Sequence, residues 1–226
     1  MEVNKVLKLP FWHPTHDQGS EGACEGFGNT MMMAVLNLAQ RRAAGTRPYT
    51  VRYDPWWLWD EAKKIDGWSD TNPGDDNGTS GDAAAKVMKD RGLVRYKYTS
   101  TLLSHILGNP ACPDLAEGIE TYRWATDVDQ MRAGMAIGLP IALGINWYDN
   151  FDNPVKHSDG SWWVGESALG SIRGGHCVCV YGASDKRQAF RIKNSWGRDY
   201  PLIWMPYATM ARLLVEQGEA CLVTDR

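Results

Sequence analysis

The spacing of apolar residues changes character along the chain. In the first half they recur at helical intervals. Phe27, Met31, Val35 and Leu38 form one stripe, which predicts a helix from Cys24 to about Ala44, with Gly45 as its stop. A second helix is expected over Tyr53 to Lys64, with Pro55 in its first turn. The stretch from Asp66 to Gly81 is rich in Gly, Asp and Asn and reads as a long surface loop. It leads into a helix from Asp82 to Arg91, with Gly92 after its end. Residues 93–125 read as polar and irregular, and Asp127 to Ile137 as a helix ended by Gly138-Leu139-Pro140.

Beyond Pro140 the apolar residues run together, as in buried strands. Ile141 to Trp147 is one such strand, and Tyr148 to Arg173 is expected to be a loop. A strand led by His176 follows, then a turn at Ser184-Asp185-Lys186-Arg187, then a strand running from Phe190 into Asn194. No element is assigned after it. A helical first half and a strand-rich second half predict an α+β chain of two lobes with a cleft between them. The expected organisation is one domain over 1–226, about 1–110 mainly helical and about 111–226 mainly β.

Composition narrows this only a little. A chain of 226 residues, 43% hydrophobic, can bury a good core. Its net charge of −3 gives no basic footprint for nucleic acid. The 11 tryptophans are expected to pack the core and the contact between lobes. No apolar run approaches a membrane span, and residues 1–16 lack the apolar core of a secretory signal, so a cytoplasmic or phage-associated location is expected, with no membrane partner. The 5 cysteines are an odd number and read as free thiols in a reducing compartment. Cys177 and Cys179 share one face of a strand and are badly placed to bridge each other. Cys112 and Cys221 read as structural thiols, and His105 and His157 as surface residues. His13 and His16 do not read as a metal pair, because Pro14 breaks helical spacing and no further ligands lie nearby. No cofactor or metal is expected.

The chemistry lies in two segments. In Asp17-Gln18-Gly19-Ser20-Glu21-Gly22-Ala23-Cys24 a cysteine stands where the first helix begins. The free N–H groups and dipole of that end favour a thiolate. Gln18, before a glycine-rich turn, can fold back and aim its amide at the same point. A sulfur nucleophile and two donors for an oxyanion result. Downstream, His176 can take the thiol proton, and the Asn194 carbonyl can hold the other ring N–H and fix the tautomer. Trp196, two residues on, can roof that bond.

Gln18, Cys24, His176 and Asn194 in this order, with Asn194-Ser195-Trp196-Gly197, resemble the papain-like cysteine peptidases over about Asp17 to Tyr207. That resemblance implies a two-lobed papain-like fold with the cleft between a helical and a β-rich lobe. It implies an endopeptidase working through a Cys24–His176–Asn194 triad, a thiolate–imidazolium pair and an acyl-enzyme, with Gln18 and the Cys24 amide as the oxyanion hole and a peptide or protein as substrate. Asn77-Gly78-Thr79-Ser80 is similar to the family's Asn-Gly-Gly segment. Gly78 and Thr79 would then pair with substrate backbone as a short strand.

His176 and Asn194 lie slightly further downstream of the cysteine than the about 130–150 residues of the family signature, which loop insertions explain. Glu21 stands where the family has a disulfide cysteine. Glu25 replaces the aromatic residue after the nucleophile and is expected to point to solvent, leaving the site intact; reduced activity is the other outcome. With 23 residues before Cys24, about the lead of a mature domain, control would rest on location, a protein partner, narrow specificity or low activity. That lead and the missing signal resemble bacterial or bacteriophage members. The rival readings are a papain-like fold kept for binding or structure, and a thiol transpeptidase, deamidase or cell-wall peptide hydrolase.

Overall fold

The computed structural model describes residues 2–47, 50–67, 78–96 and 115–225. Asn77, His105 and Cys112 lie outside them. Helix α1 is Cys24–Ala43. Every residue from Glu25 to Leu38 is buried, so α1 is a central helix and not a surface one with a single apolar stripe. Its polar members close their own bonds: Thr30 Oγ1 donates to Gly26 O at 2.7 Å and Asn29 Nδ2 to Glu25 O at 2.9 Å. Met31, Met32 and Met33 are fully buried core, each stabilising by about 1.5–3 kcal/mol on area grounds.

Helix α2 is Pro55–Asp66; the Asp54 side chain accepts from the Trp56 and Trp57 amides, and Gly67 ends the helix in the left-handed region at φ 73°. Helix α3 is Gly81–Asp90, with Ser80 accepting from Ala83 N. Helix α4 is Val128–Ile137, capped by Asp127 and ended by Gly138 at φ 94°. These four match the sequence expectation to within two residues at each end. Helix α5, Tyr207–Val215, lies in the unassigned C-terminal part.

Nine strands make the main sheet: β1 Asn4–Val6, β4 Ile119–Ala125, β5 Ile141–Tyr148, β6 Val155–Lys156, β7 Trp162–Trp163, β8 Ile172–Ser184, β9 Ala189–Lys193, β10 Ile203–Pro206 and β11 Glu219–Asp225. Their order is β4-β11-β5-β8-β9-β10-β7-β6, with β1 also paired to β8. Strands β2 Leu93–Val94 and β3 Leu115–Glu117 pair separately.

Two expectations need correction. Residues 93–125 are not irregular throughout, because they hold β2, β3 and β4. Strand β4 ends the sheet, and its Glu120, Thr121 and Arg123 are exposed, so it lacks the apolar run of an interior strand. The span Tyr148 to Arg173 is likewise not all loop, since it holds β6, β7 and the first two residues of β8. Pairs of two residues carry no readable period.

The placement that matters is α1 against β8. A Cβ on Gly28 would lie 2.5 Å from Cys177 Sγ, so only glycine lets the helix come this close to the strand. On the opposite side a Cβ on Gly26 would meet the Pro55 carbonyl of α2. Among the described residues no helix is long and apolar enough to cross a membrane.

Candidate active site

Cys24 is the first residue of α1 and is partly exposed. The backbone amides of Cys177, Glu25 and Cys24 lie near its sulfur. Cys177 follows His176 on β8 and packs against Gly28 of α1. The helix start and β8 therefore bring Cys24 and His176 into one region.

His176 lies on β8 opposite Ile145 of β5 and is 8% exposed. Asn194 follows the last residue of β9, the neighbouring strand, and is buried. His176 Nε2 is 2.9 Å from Asn194 Oδ1, which also accepts from Ser195 N at 2.6 Å. A backbone N–H needs an acceptor, so the atom facing it is the amide oxygen. Nε2 of His176 therefore carries the proton, and Nδ1 is left to receive one.

Trp196 lies over this pair, its ring 5.1 Å from the His176 ring at 35°. A second tryptophan went unseen in the sequence. Trp147 of β5 meets His176 edge-on at 4.8 Å and 75°, and its Nε1 donates to Asp152 Oδ1 at 2.9 Å. Asp152 in turn pairs with Arg173. Tyr200 packs edge-on against Trp196 at 5.1 Å, and its hydroxyl donates to Phe151 O at 2.6 Å. Neither Trp147 nor Tyr200 sits in a motif; only the pairing of β5 with β8 and the turn after Trp196 bring them in.

Gln18 is held from three sides. Its backbone N donates to Ser195 O at 2.9 Å, its Oε1 accepts from Ser195 Oγ at 2.5 Å, and its Nε2 donates to Glu21 O at 2.8 Å. One Nε2 hydrogen remains unassigned by these bonds. Buried His16 ties the same loop to α1, since its Nε2 donates to Phe27 O at 2.9 Å. Gly197, at φ 64°, packs on Asp17 where a Cβ would lie 2.6 Å from Asp17 Oδ2. The Gln18 loop and the Asn194–Gly197 loop are thus one packed unit.

Gly78 lies beside the loop that precedes Cys24, where an added Cβ would be 3.8 Å from Gly22 O. Thr79 is buried, and its hydroxyl donates to Asp66 Oδ2, so its side chain is turned to the helical side.

Glu25 corrects the sequence reading. It does not point to solvent: it is 7% exposed, and Asn29 Nδ2 donates to its Oε2 at 3.0 Å. Room for it comes from Gly144 of β5, far away in sequence. Burial pushes its carboxyl up to about 7, with Glu219 adding and the nearby Cys177 thiol and the Asn29 bond opposing. The expected thiolate–imidazolium pair also changes. Burial first, then the Glu25 charge, push the Cys24 thiol up to about 12 despite the three amides. Burial brings His176 down to about 4, against the Asn194 bond. Both directions favour thiol and neutral imidazole in the resting site.

Cys177, Cys179 and Cys221 are free and buried, and burial raises all three. His157 pairs with Glu166 at 2.7 Å at the surface. Among the described residues no group of three His, Cys, Asp or Glu is placed to hold a metal ion.

No family model matches the chain, and no curated protein matches it either. Solved structures do. Xylellain, a cysteine protease from Xylella fastidiosa, aligns over 99% of this chain and 87% of its own with a TM-score of 0.67 and 22% identity. Procathepsin B S9 from Trypanosoma congolense aligns over 94% of this chain and 72% of its own with a TM-score of 0.60 and 15% identity. With its mixed architecture and these two neighbours, the chain has the papain-like cysteine peptidase fold.

Proposed function

We propose that the protein is a thiol peptidase that cleaves peptide bonds through an acyl-enzyme on Cys24. The observation that carries this is the junction of α1 with β8: the helix that begins at Cys24 packs through Gly28 on Cys177, the residue after a histidine whose tautomer Asn194 fixes. In this reading the Cys24 proton passes to His176 Nδ1 as the sulfur attacks the substrate carbonyl. The neutral resting pair makes His176 a general base during attack, so no ion pair need exist beforehand. The oxyanion is received by the Cys24 amide and the second Nε2 hydrogen of Gln18. The His176 imidazolium then protonates the leaving amine, and water, deprotonated by His176, clears the acyl group. Trp196 and Trp147 keep water from the His176–Asn194 bond. Gly78 offers backbone on the far side of the Gly22 loop for an extended substrate.

The test is peptide hydrolysis by wild type and Cys24→Ala. The variant is expected to fold as wild type and to show no turnover; activity near wild type would end the assignment. Adding an amine nucleophile separates hydrolysis from transfer, because a transpeptidase would join the amine to the acyl fragment. One observation favours a second reading, a papain-like fold kept for binding. Burial pushes Cys24 and His176 away from the charged pair, and a protein without turnover that still bound peptide would fit that role.

A further inference from the structure

Glu25 follows Cys24 in the first turn of α1, and its carboxyl ends in a narrow buried compartment. The compartment is lined by Asn29, Gly81, Trp124, Gly144, Glu219 and Cys221 and leaves no room for a water molecule. Two glycines create the space. A Cβ on Gly144 would lie 3.3 Å from Glu25 Oε1, and one on Gly81 would lie 3.6 Å from Glu25 Oε2 and 2.7 Å from Glu219 Oε2. The two carboxyls therefore converge, with Glu219 at the exposed mouth and Glu25 at the buried end.

The groups facing Glu25 are all neutral or acidic. Helix α1 presents Cys24 and Asn29, β8 presents Cys177, and β11 presents Glu219 and Cys221. Helix α3 presents Gly81, with Asp82 acting on Cys221, while β5 and β4 contribute Gly144 and Trp124, which carry no charge. No described residue lining the compartment is Lys, Arg or His. Cys177 lies near both groups and packs on Gly28 of the same helix. A charge on Glu25 thus has no cation lining its compartment to answer it, and Cys24 is its neighbour in the chain.

We propose that Glu25 sets the pH range in which Cys24 can attack: with its proton it leaves the thiol free to give its own to His176, and without it the uncompensated charge holds that proton on sulfur. Glu25 is a positioning residue that acts through Cys24 and does not touch substrate. The proposal rests on Cys24 being the nucleophile proposed above. Burial pushes Glu25 up to about 7, so the change falls near neutral pH. The sign is the reverse of an ordinary thiol's: a rise in pH ionises Glu25 and so opposes the thiolate that the same rise would otherwise favour.

The test is the rate of Cys24 alkylation by iodoacetamide, mapped by mass after digestion, from about pH 5 to pH 9, in wild type, Glu25→Gln, Glu219→Gln and His176→Ala. The ratio of the Glu25→Gln rate to the wild-type rate is expected to be near one at the acid end. It should rise about tenfold by the alkaline end, the factor carried by one pKa unit on the thiol. Glu219→Gln should shift the fall in wild-type-like reactivity to lower pH, because it removes a charge that opposes ionisation of Glu25. A Glu25→Gln ratio that stays constant with pH overturns the proposal. Should that variant not fold, a Glu219→Gln profile superposable on wild type overturns it. Iodoacetamide needs no peptidase activity, and only His176→Ala reports on the base. A failure of the Glu25 proposal and a failure of the peptidase reading are therefore seen separately.

Discussion

Gln18 has one amide hydrogen to give. The other is on Glu21 O, and the amide oxygen is occupied by Ser195 Oγ at 2.5 Å. A side chain fixed by both its ends can aim the remaining N–H without reorganising during reaction, which is what makes an oxyanion donor effective. Gln18→Ala is therefore expected to lower kcat by roughly 10²–10³ with little change in KM. Steady-state kinetics on a peptide ester would check it; a rise in KM with unchanged kcat would place Gln18 in ground-state binding instead. The same scale explains why Asn194 suits its place. Its oxygen accepts from both His176 Nε2 and Ser195 N, so it cannot turn over without breaking two bonds.

At the scale of elements the site depends on how closely α1 approaches β8. Gly28 sets that distance, since a methyl there would lie 2.5 Å from Cys177 Sγ. Gly28→Ala must push helix and strand apart or move Cys177, which is the neighbour of His176 in the chain. Overpacking of this kind costs about 1–3 kcal/mol, and a displacement near 1 Å at reacting groups can cost about 10² in rate. Urea unfolding and peptide turnover should both register the change; wild-type values in both would show that the contact is not a constraint.

Elements with a long period were legible in the sequence. Helices α2 to α4 have side-chain caps and α1 has Gly45 past its end, all local signals, and β5 and β8 are interior strands with long apolar runs. Strand β4 was not legible, because an edge strand with exposed Glu120 and Arg123 reads as a loop. Burial of Glu25 was not legible either. It depends on Gly81 and Gly144, whose closeness to α1 exists only once the sheet has formed. Cys24, Gln18, His176 and Asn194 were legible as a set because their order and the Asn194–Gly197 run are local signals, whereas Trp147 reaches His176 only through the register of β5 with β8.

In the whole molecule Cys24 comes from the start of α1, His176 from β8, and Asn194 from just past the end of the neighbouring β9. One continuous core joins them: Met31 and Leu36 of α1 belong to the same buried cluster as Val178 and Val180 of β8. Dense packing of this kind resists small rearrangements, so the site is held in place before substrate arrives. Burial disfavours the charged forms of Cys24 and His176, so the proposed mechanism expects proton transfer to accompany attack. Activated esters, whose leaving groups need no protonation, are expected to let the acyl-enzyme accumulate.

The most direct measurement is therefore intact mass followed by peptide mapping after rapid mixing with a peptide nitrophenyl ester. The account predicts a single acyl adduct on Cys24 that forms in a burst, decays with water, and is lost in His176→Ala. An adduct on another cysteine, or none on Cys24 while the ester is still consumed, would contradict it.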